Sequence, residues 1–239
     1  INLTSELKTS VGTYSLRPIQ SSALASIREV KGGFFPIGVG HGKSLICLLA
    51  GTVLEAEVSI IFVPASTVGT MRQTYQDFRA HFRMPKNVHI ISYAMLSAPK
   101  GTTLLRRLTE GVKDHRKVVI VADEVHRIKN KDSVRTRRIL RHFEDKPETR
   151  FVGASGTITS KSIKDFAHIA DLALRSGSPA PRKHADLAAW SAILDVDGRA
   201  HSRSRDANAD RELGPLRDWA KKHSIHRGEL ETQQEFYRR

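Results

Sequence analysis

The sequence predicts an α/β fold in which a central parallel sheet carries helices on both faces, and three observations predict it. First, short apolar runs rich in β-branched residues (Val58–Val63, Val88–Ile91, Lys117–Ala122 and Thr149–Gly153) alternate with stretches of helical spacing. Strands that are apolar throughout, rather than at every second residue, are those buried on both faces by crossover helices. Second, a glycine-rich segment, Gly38-Val39-Gly40-His41-Gly42-Lys43-Ser44, separates the apolar run Phe34–Ile37 from a nearly all-apolar helix, Leu45–Leu54. Third, the strongest strand runs straight into the acidic pair Asp123-Glu124. In open parallel sheets ligands bind beyond the carboxyl ends of the strands, so segments that follow strands directly are expected to meet on one edge.

Taken in order, residues 1–15 are polar and are expected to be loosely held. A helix begins near Pro18, whose fixed φ and missing N–H suit a first turn, continues through Ala23, Leu24 and Ile27, and stops at Gly32-Gly33. After the helix that leaves the glycine loop comes strand Val58–Val63, halted by Pro64. Ser66 or Thr67 then caps a helix reaching about Phe82. Strand Val88–Ile91 ends in Ser92-Tyr93, and Thr102–Glu110 reads as helical. Beyond the acidic pair, Asp132–Phe143 is a helix that is very basic on one side. Strand Thr149–Gly153 follows, then Ala154-Ser155-Gly156-Thr157, then helical spacing over Lys161–Leu174 through Ile163, Phe166, Ile169 and Leu172. From Ser176 the composition shifts. Ser176-Gly177-Ser178-Pro179-Ala180-Pro181 is linker chemistry, His184–Leu194 is one helix, and Asp195–Asp210 is a polar loop or disordered. Leu216–His223 and Leu230–Tyr237 read as short helices.

The totals set the class of partner. The 239 residues carry 39 Lys and Arg against 25 Asp and Glu, a net charge of +14, which favours a polyanion: nucleic acid first, an acidic membrane surface second. No apolar stretch approaches a membrane span, and no basic–apolar leader opens the chain. The single cysteine, Cys47, excludes an internal disulfide framework and reads as a buried thiol of a reducing cytosol.

The glycine segment has the composition of a phosphate-binding P-loop. Backbone N–H groups of a tight loop and of a helix N-terminus must converge on phosphate oxygens, and Gly40 and Gly42 let the backbone approach without a side chain in the way. Lys43 then reaches the β- and γ-phosphates, and the Ser44 hydroxyl ligates Mg²⁺. The strict pattern asks for glycine at position 37, where this chain has Ile37, so a glycine turn ending in a solvated lysine stays open on the motif alone. An ATPase also needs one carboxylate to hold Mg²⁺ and a second to orient or deprotonate the attacking water. Asp123 and Glu124 supply both, their carboxylates expected to diverge with the pleat of the strand. The basic run Arg127, Lys129, Lys131, Arg135, Arg137, Arg138 and Arg141 is either a phosphate-contacting face or a solvated one. His41 is expected to face solvent. His223 and His226 have no neighbours at metal-ligand spacing.

Asp123-Glu124-Val125-His126-Arg127-Ile128-Lys129-Asn130 resembles the D-E-x-H box of superfamily 2 helicases, and its Arg-Ile-Lys-Asn continuation is similar to the chromatin-remodeller branch of double-stranded DNA translocases. Leu16-Arg17-Pro18-Ile19-Gln20 resembles that branch's adenine-reading segment, with Gln20 at the base-contacting position. Ile61–Ser66 and Ile90–Tyr93 resemble two later motifs, and Ala154-Ser155-Gly156-Thr157 the Ser/Thr-Gly-Thr motif that couples hydrolysis to movement. The family's Gly-x-Gly-Lys-Ser/Thr loop also lacks the earlier glycine. The resemblance covers roughly residues 14–175; Ile158 departs from it, standing where the remodeller branch has proline.

The resemblance implies a RecA-like P-loop NTPase lobe over residues 1–175, with residues 176–239 a linker and mostly helical extension towards a second lobe. It implies an ATPase that couples Mg-ATP hydrolysis to movement on nucleic acid, expected to be double-stranded DNA, and that is weak as this isolated chain. The implied catalytic residues are Lys43, Asp123 and Glu124. Nucleotide is bound by Arg17, Gln20 and Gly38, Val39, Gly40, His41, Gly42, Lys43 and Ser44; Mg²⁺ by Ser44 and Asp123; coupling runs through His126, Ser155, Gly156 and Thr157. The chain opens on Ile1 without a methionine, and nothing after Ser176 resembles a second lobe with arginine fingers, Arg238 and Arg239 having no motif around them. The expectation is therefore the N-terminal motor lobe of a longer enzyme. Its expected setting is the cytoplasm of a bacterium or phage-infected bacterium, or the nucleus if eukaryotic. The alternative is a basic nucleic-acid-binding adaptor with a vestigial nucleotide site.

Overall fold

The structure is a computed structural model that describes residues 2–156 and 162–194. These divide into two compact units, one built from residues 2–156 with 172–174, the other from 162–171 with 175–194. Thr157 and the segments expected to be a loop and two short helices after Leu194 lie outside the described residues.

The first unit contains, in chain order, α1 (Thr4–Leu7), α2 (Pro18–Val30), β1 (Gly33–Pro36), α3 (Lys43–Val53), β2 (Val58–Val63), α4 (Val68–Phe78), β3 (Val88–Ser92), α5 (Tyr93–Ser97), α6 (Leu104–Leu108), β4 (Val118–Asp123), α7 (Val134–Asp145) and β5 (Arg150–Ser155). The strands form one sheet in the order β1-β5-β4-β2-β3, every pairing parallel. All carboxyl ends therefore lie along one edge. β2 and β4 are buried at every position, as their unbroken apolar runs require of central strands.

The period of two divides the core. Ile61, Val63, Val119, Val121, Val152 and Ala154 pack with the apolar sides of α2 and α3. The alternate residues face the other way: Phe62 stacks on Tyr93 at the start of α5 (5.8 Å between centroids), and Phe151 meets Phe143 of α7 edge-on (5.9 Å). The sheet is thus covered on both faces. α3 buries eight of its eleven residues, so the all-apolar helix after the glycine loop is the central wall of the core, with Cys47 inside it and its thiol pushed well above the usual range by burial. α7 is capped by Ser133, whose Oγ accepts from the Thr136 N–H.

Residues 2–15 differ from expectation. Leu3 and Leu7, on one side of the single turn α1, are 3% exposed, and Lys8 bridges Phe82 antiparallel. The Thr9 N–H donates to His81 O and the Arg83 N–H to Leu7 O. Two leucines a turn apart suffice to bury a short helix once long-range backbone bonds hold it. The helix expected over Thr102–Glu110 is only the five residues of α6, preceded by a 3₁₀ turn over Pro99–Thr102.

In the second unit, α8 (Lys164–Leu174, its last three residues belonging to the first unit) and α9 (His184–Leu194) are joined through a 3₁₀ turn, Arg175–Gly177. Arg182 pairs with Asp171 at 2.8 Å, and Ser162 Oγ lies 3.2 Å from Ser191 Oγ.

Candidate functional site at the carboxyl edge of the sheet

The glycine loop leaves β1 and delivers the chain into α3. Gly40 and Gly42 have φ of 83° and 73°, a region costly for any residue with a Cβ, and Gly42 is the residue before the first turn of α3. Two side chains brace the loop from α2 and its N-cap. Arg17 donates from its guanidinium to Gly40 O at 2.7 Å, and Gln20 donates from Nε2 to Gly42 O at 3.2 Å. Gln20 Oε1 in turn accepts from the Arg17 N–H at 2.8 Å. The outer loop is open: Val39 is 92% exposed, and Gly38 and His41 are exposed, as expected of His41.

Lys43, the first residue of α3, meets the acidic pair. Its Nζ lies 3.5 Å from Asp123 Oδ1 and is hydrogen-bonded to Glu124 Oε1. The expectation that the two carboxylates diverge with the pleat is not met. β4 ends at Asp123, and Glu124 takes a left-handed conformation (φ 53°, ψ 53°) that turns both acids onto the one ammonium. Asp123 is 6% exposed, and the hydroxyl of buried Tyr93 donates to its carbonyl at 2.8 Å, fixing the end of the strand. Burial pushes the Asp123 carboxyl up, more than Lys43 pulls it down. Glu124 is less enclosed; burial pushes it up, but hydrogen bonds from Lys43 and Ser155 and the Lys43 charge hold it below the usual range. For Lys43 the two carboxylates outweigh burial and raise its pKa.

A second chain of contacts reaches β5. Ser155 Oγ donates to Glu124 Oε2 at 3.0 Å, and His126 Nδ1 lies 3.0 Å from Ser155 Oγ and 3.2 Å from Glu124 Oε2. Burial, together with the Arg127 and Lys129 charges, lowers the His126 pKa against the pull of Glu124. The Ser155 carbonyl accepts from the Ile37 N–H at 3.1 Å, so the start of the glycine loop is tied to the same residue. Gly156 is exposed beside Val39 and Ile37.

Two cavities open here. One, of about 430 Å³, is bounded by the glycine loop, Lys43, Ser44, Asp123 and Glu124, with Thr67, Thr70 and Met71 from α4 and the residue before it. The other, also about 430 Å³, adjoins it through Gly40, Gly42 and Ser44 and extends to Tyr14, Ser15, Arg17, Gln20, Thr74 and Phe78. Both are of a size that takes a small-molecule ligand. Of the sequence-expected residues, the structure brings together Lys43, Ser44, Asp123, Glu124, His126, Ser155, Gly156 and the loop, with Arg17 and Gln20 behind it. The wall from α4 and the aromatic pair Tyr14 and Phe78 were not singled out in the sequence. The α4 wall had a signal, since the segment after β2 must emerge on the edge where the loop lies.

The donor set suits a hard divalent cation. A hydroxyl and one or two carboxylates border the first cavity, and Mg²⁺ prefers such oxygens while keeping waters and substrate phosphates as its remaining ligands. Among the described residues no group of three or more His, Cys, Asp or Glu forms a protein-only metal cage.

A third cavity of about 510 Å³ lies between Pro64–Ser66, the start of α5, Arg127 and Arg135. The basic run divides here. Arg138 is turned inward, donating to the carbonyls of Leu96 and Ala98 and to Thr102 Oγ1, whereas Arg127, Lys129, Lys131, Arg137 and Arg141 are exposed. No helix among the described residues is long and apolar enough to cross a membrane.

Residues 38–156 match the model of a family described as an AAA domain. A search of the curated proteins returned no match. Among solved structures, the chain is similar to the Sulfolobus solfataricus SWI2/SNF2 ATPase core in complex with dsDNA, with 15% identity and a TM-score of 0.54. The match covers 86% of this chain and 44% of that one, so the chain spans less than half the length of its structural neighbour. At that identity the likeness is one of fold. With the loop, its lysine and the acidic strand end gathered on one edge of a five-stranded parallel sheet, the chain carries a P-loop nucleotide-binding domain on a RecA-like fold.

Proposed function

We propose that this chain is the ATP-binding first motor lobe of an ATP-dependent DNA translocase or helicase, and that it hydrolyses Mg-ATP in concert with a second lobe. The observation that carries the reading is the Lys43 ammonium set against both Asp123 and Glu124 beside the open glycine loop. A partly buried cation balanced by two carboxylates at the mouth of a phosphate loop is a site whose charges exchange when a triphosphate enters. Lys43 moves to the β- and γ-phosphate oxygens, and the carboxylates are released. Ser44 and Asp123 would hold Mg²⁺, which when bound neutralises charge on the phosphates. Glu124, no longer paired with Lys43, accepts a proton from the water that attacks the terminal phosphorus, as the bond to the leaving ADP oxygen breaks. Ser155 and His126 keep its second oxygen oriented, and with Gly156 and Thr157 they are the coupling segment.

The positive charge and the basic cavity at Arg127 and Arg135 support a nucleic-acid track. The structural neighbour's complex with dsDNA supports duplex DNA. In this reading residues 1–175 are the lobe, and residues 176–239 lead towards its partner.

ATP binding and hydrolysis, with and without duplex DNA, test the proposal. Lys43→Ala is expected to abolish binding or turnover, and Glu124→Gln to keep ATP binding while losing turnover in the two-lobed enzyme. Undiminished DNA-stimulated turnover in either variant refutes the roles. DNA binding without any nucleotide affinity would instead favour a non-motor adaptor with a vestigial site.

A further inference from the structure

The last strand of the sheet carries a groove that neither the nucleotide site nor the cavity at Arg127 uses. β3 has β2 on one side and, among the described residues, no strand on the other. Its partnered side is marked by Ser59, whose N–H donates to Asn87 O at 2.9 Å. Successive residues of a strand turn their N–H and C=O groups to opposite sides, so Val88 and Ile90 present theirs outward. Arg72 of α4 agrees with that register, donating from Nη2 to Ile90 O at 3.2 Å. Among the described residues, that is the one contact made to the outward groups of Val88 and Ile90.

A cavity of about 380 Å³ follows this free side, with Arg72, Tyr75 and Gln76 on one wall and Lys86, Val88 and Ile90 on the other. No carboxylate lines it. Arg72 and Lys86 are exposed, and among the described residues neither is paired with an acid. The groove shares no lining residue with the two cavities at the glycine loop or the one at Arg127, so a partner held in it leaves those open.

An unpaired strand edge is a template for another chain, and an extended peptide added to it gains main-chain bonds for affinity and flanking side chains for selectivity. Here the charges choose the peptide. Two unpaired cations facing no acid favour an acidic occupant. A second copy of this chain would set the same cations against each other. A nucleic acid would meet the cations but has no repeating N–H and C=O pattern to match the strand. We infer that the groove between α4 and β3 is a docking site for an extended acidic segment of a partner protein, which adds to the sheet beyond β3 with its carboxylates on Arg72 and Lys86.

The probe is a fluorescein-labelled peptide of four Glu-Val repeats, titrated into the whole chain by anisotropy. Its comparators are the same peptide N-methylated throughout, which keeps the charge and loses the donors, and duplex DNA. The Glu-Val peptide is expected to bind, and its Kd to rise by about tenfold or more both on N-methylation and in Lys86→Glu. Lys113→Glu, the same charge change at an exposed position before β4, is expected to shift it by less than about threefold. Hydrogen exchange at the Val88 and Ile90 amides is expected to slow when the peptide is present. Absence of binding overturns the inference. Binding that survives N-methylation, or that falls equally in Lys86→Glu and Lys113→Glu, overturns it too, since net charge alone then accounts for the affinity. A duplex that binds through Lys86 while the peptide does not would make the groove a nucleic-acid surface. A chain that dimerises in sedimentation until Lys86 is replaced would make it a self-contact, and either result also overturns the inference.

Discussion

Replacing Lys43 by alanine should destabilise the folded chain even with no nucleotide in solution, because the ammonium neutralises two carboxylates that the fold has drawn out of water. The side chains of Lys43 and Asp123 are 11% and 9% exposed, and Nζ stands 3.5 Å from Oδ1. At an effective dielectric of about 20 that pair alone is worth roughly 5 kcal/mol of attraction, most of it offset by the desolvation of both charges. Removing one partner leaves the other's desolvation uncompensated, which costs about 3–5 kcal/mol at fully buried sites. The opening of the cavity reduces this, as does relief of a cation at a helix N-terminus, worth about 0.3–1 kcal/mol. A loss of about 3 kcal/mol is expected, lowering the thermal midpoint by about 6–12 °C for a chain of this size. The pH dependence gives a second check. Asp123 already has its pKa raised by burial, and loss of Lys43 raises it further. A carboxyl raised on folding binds more protons folded than unfolded, so its penalty grows as pH rises and is relieved as pH falls through the folded value. The deficit of Lys43→Ala relative to the parent should therefore shrink on acidification from neutral pH, and Asp123→Asn in the same background should restore about half of it. Urea midpoints from pH 5 to 8 measure both effects. A deficit under about 0.5 kcal/mol, or one that widens towards pH 5, would refute the charge balance described.

His142 is 8% exposed, with Nε2 3.2 Å from Thr149 Oγ1; burial, with the His115 and Lys146 charges, lowers its pKa to about 4 against the pull of Asp145. The unfolded chain takes the proton first, so stability should fall as pH drops below 6.5, by about 2–3 kcal/mol near pH 4–5, and His142→Leu should flatten that part of the urea-midpoint profile. Gly42→Ala should cost about 2–3 kcal/mol, since it combines left-handed strain with a clash at Gln20, whereas Gly40→Ala, with nothing within 4 Å of a new Cβ, should cost only about 1 kcal/mol in the same melts. Arg138→Met should cost about 1–2 kcal/mol by leaving the carbonyl of Leu96 without its side-chain donor, while Ala98 O keeps the Gly101 N–H, and hydrogen exchange should quicken in α5 before the sheet.

The sheet was legible because its evidence is local. Val58–Val63 and the run into Asp123 are continuous and β-branched, and only a strand buried on both faces needs that. The helix after the loop was equally plain, since eight buried positions in α3 leave hardly a polar residue. What the sequence hides is whatever depends on partners far along the chain. Residues 2–15 look loose by composition, yet Leu3 and Leu7 are core residues, because backbone bonds to His81 and Arg83 supply what local pattern lacks. That docking also brings Tyr14 to the cavity beside the glycine loop, and Tyr14 carried no motif signal. Arg138 shows the same limit from the other side. In a run of arginines nothing distinguishes the one that caps a helix inside the protein from those that face solvent.

The strand order gives the site its logic. β5 lies between β1 and β4, so the residue ending it stands between the glycine loop and the acidic pair. Ser155 is that residue, and it touches both sides with different groups: its carbonyl takes the Ile37 N–H at the root of the loop, and its hydroxyl donates to Glu124. Glu124 is in turn shared, one oxygen with Lys43 and the other with Ser155 and His126. Any event that draws Lys43 away leaves Glu124 with Ser155 and His126, making His126 the nearest group able to carry the balancing charge. That raises the proton affinity of a ring otherwise held down by burial and by its basic neighbours. On the proposed reading, loading of the loop with phosphates would reach the end of β5 through this hydrogen-bond set, because its intermediary is the residue that terminates the strand between them.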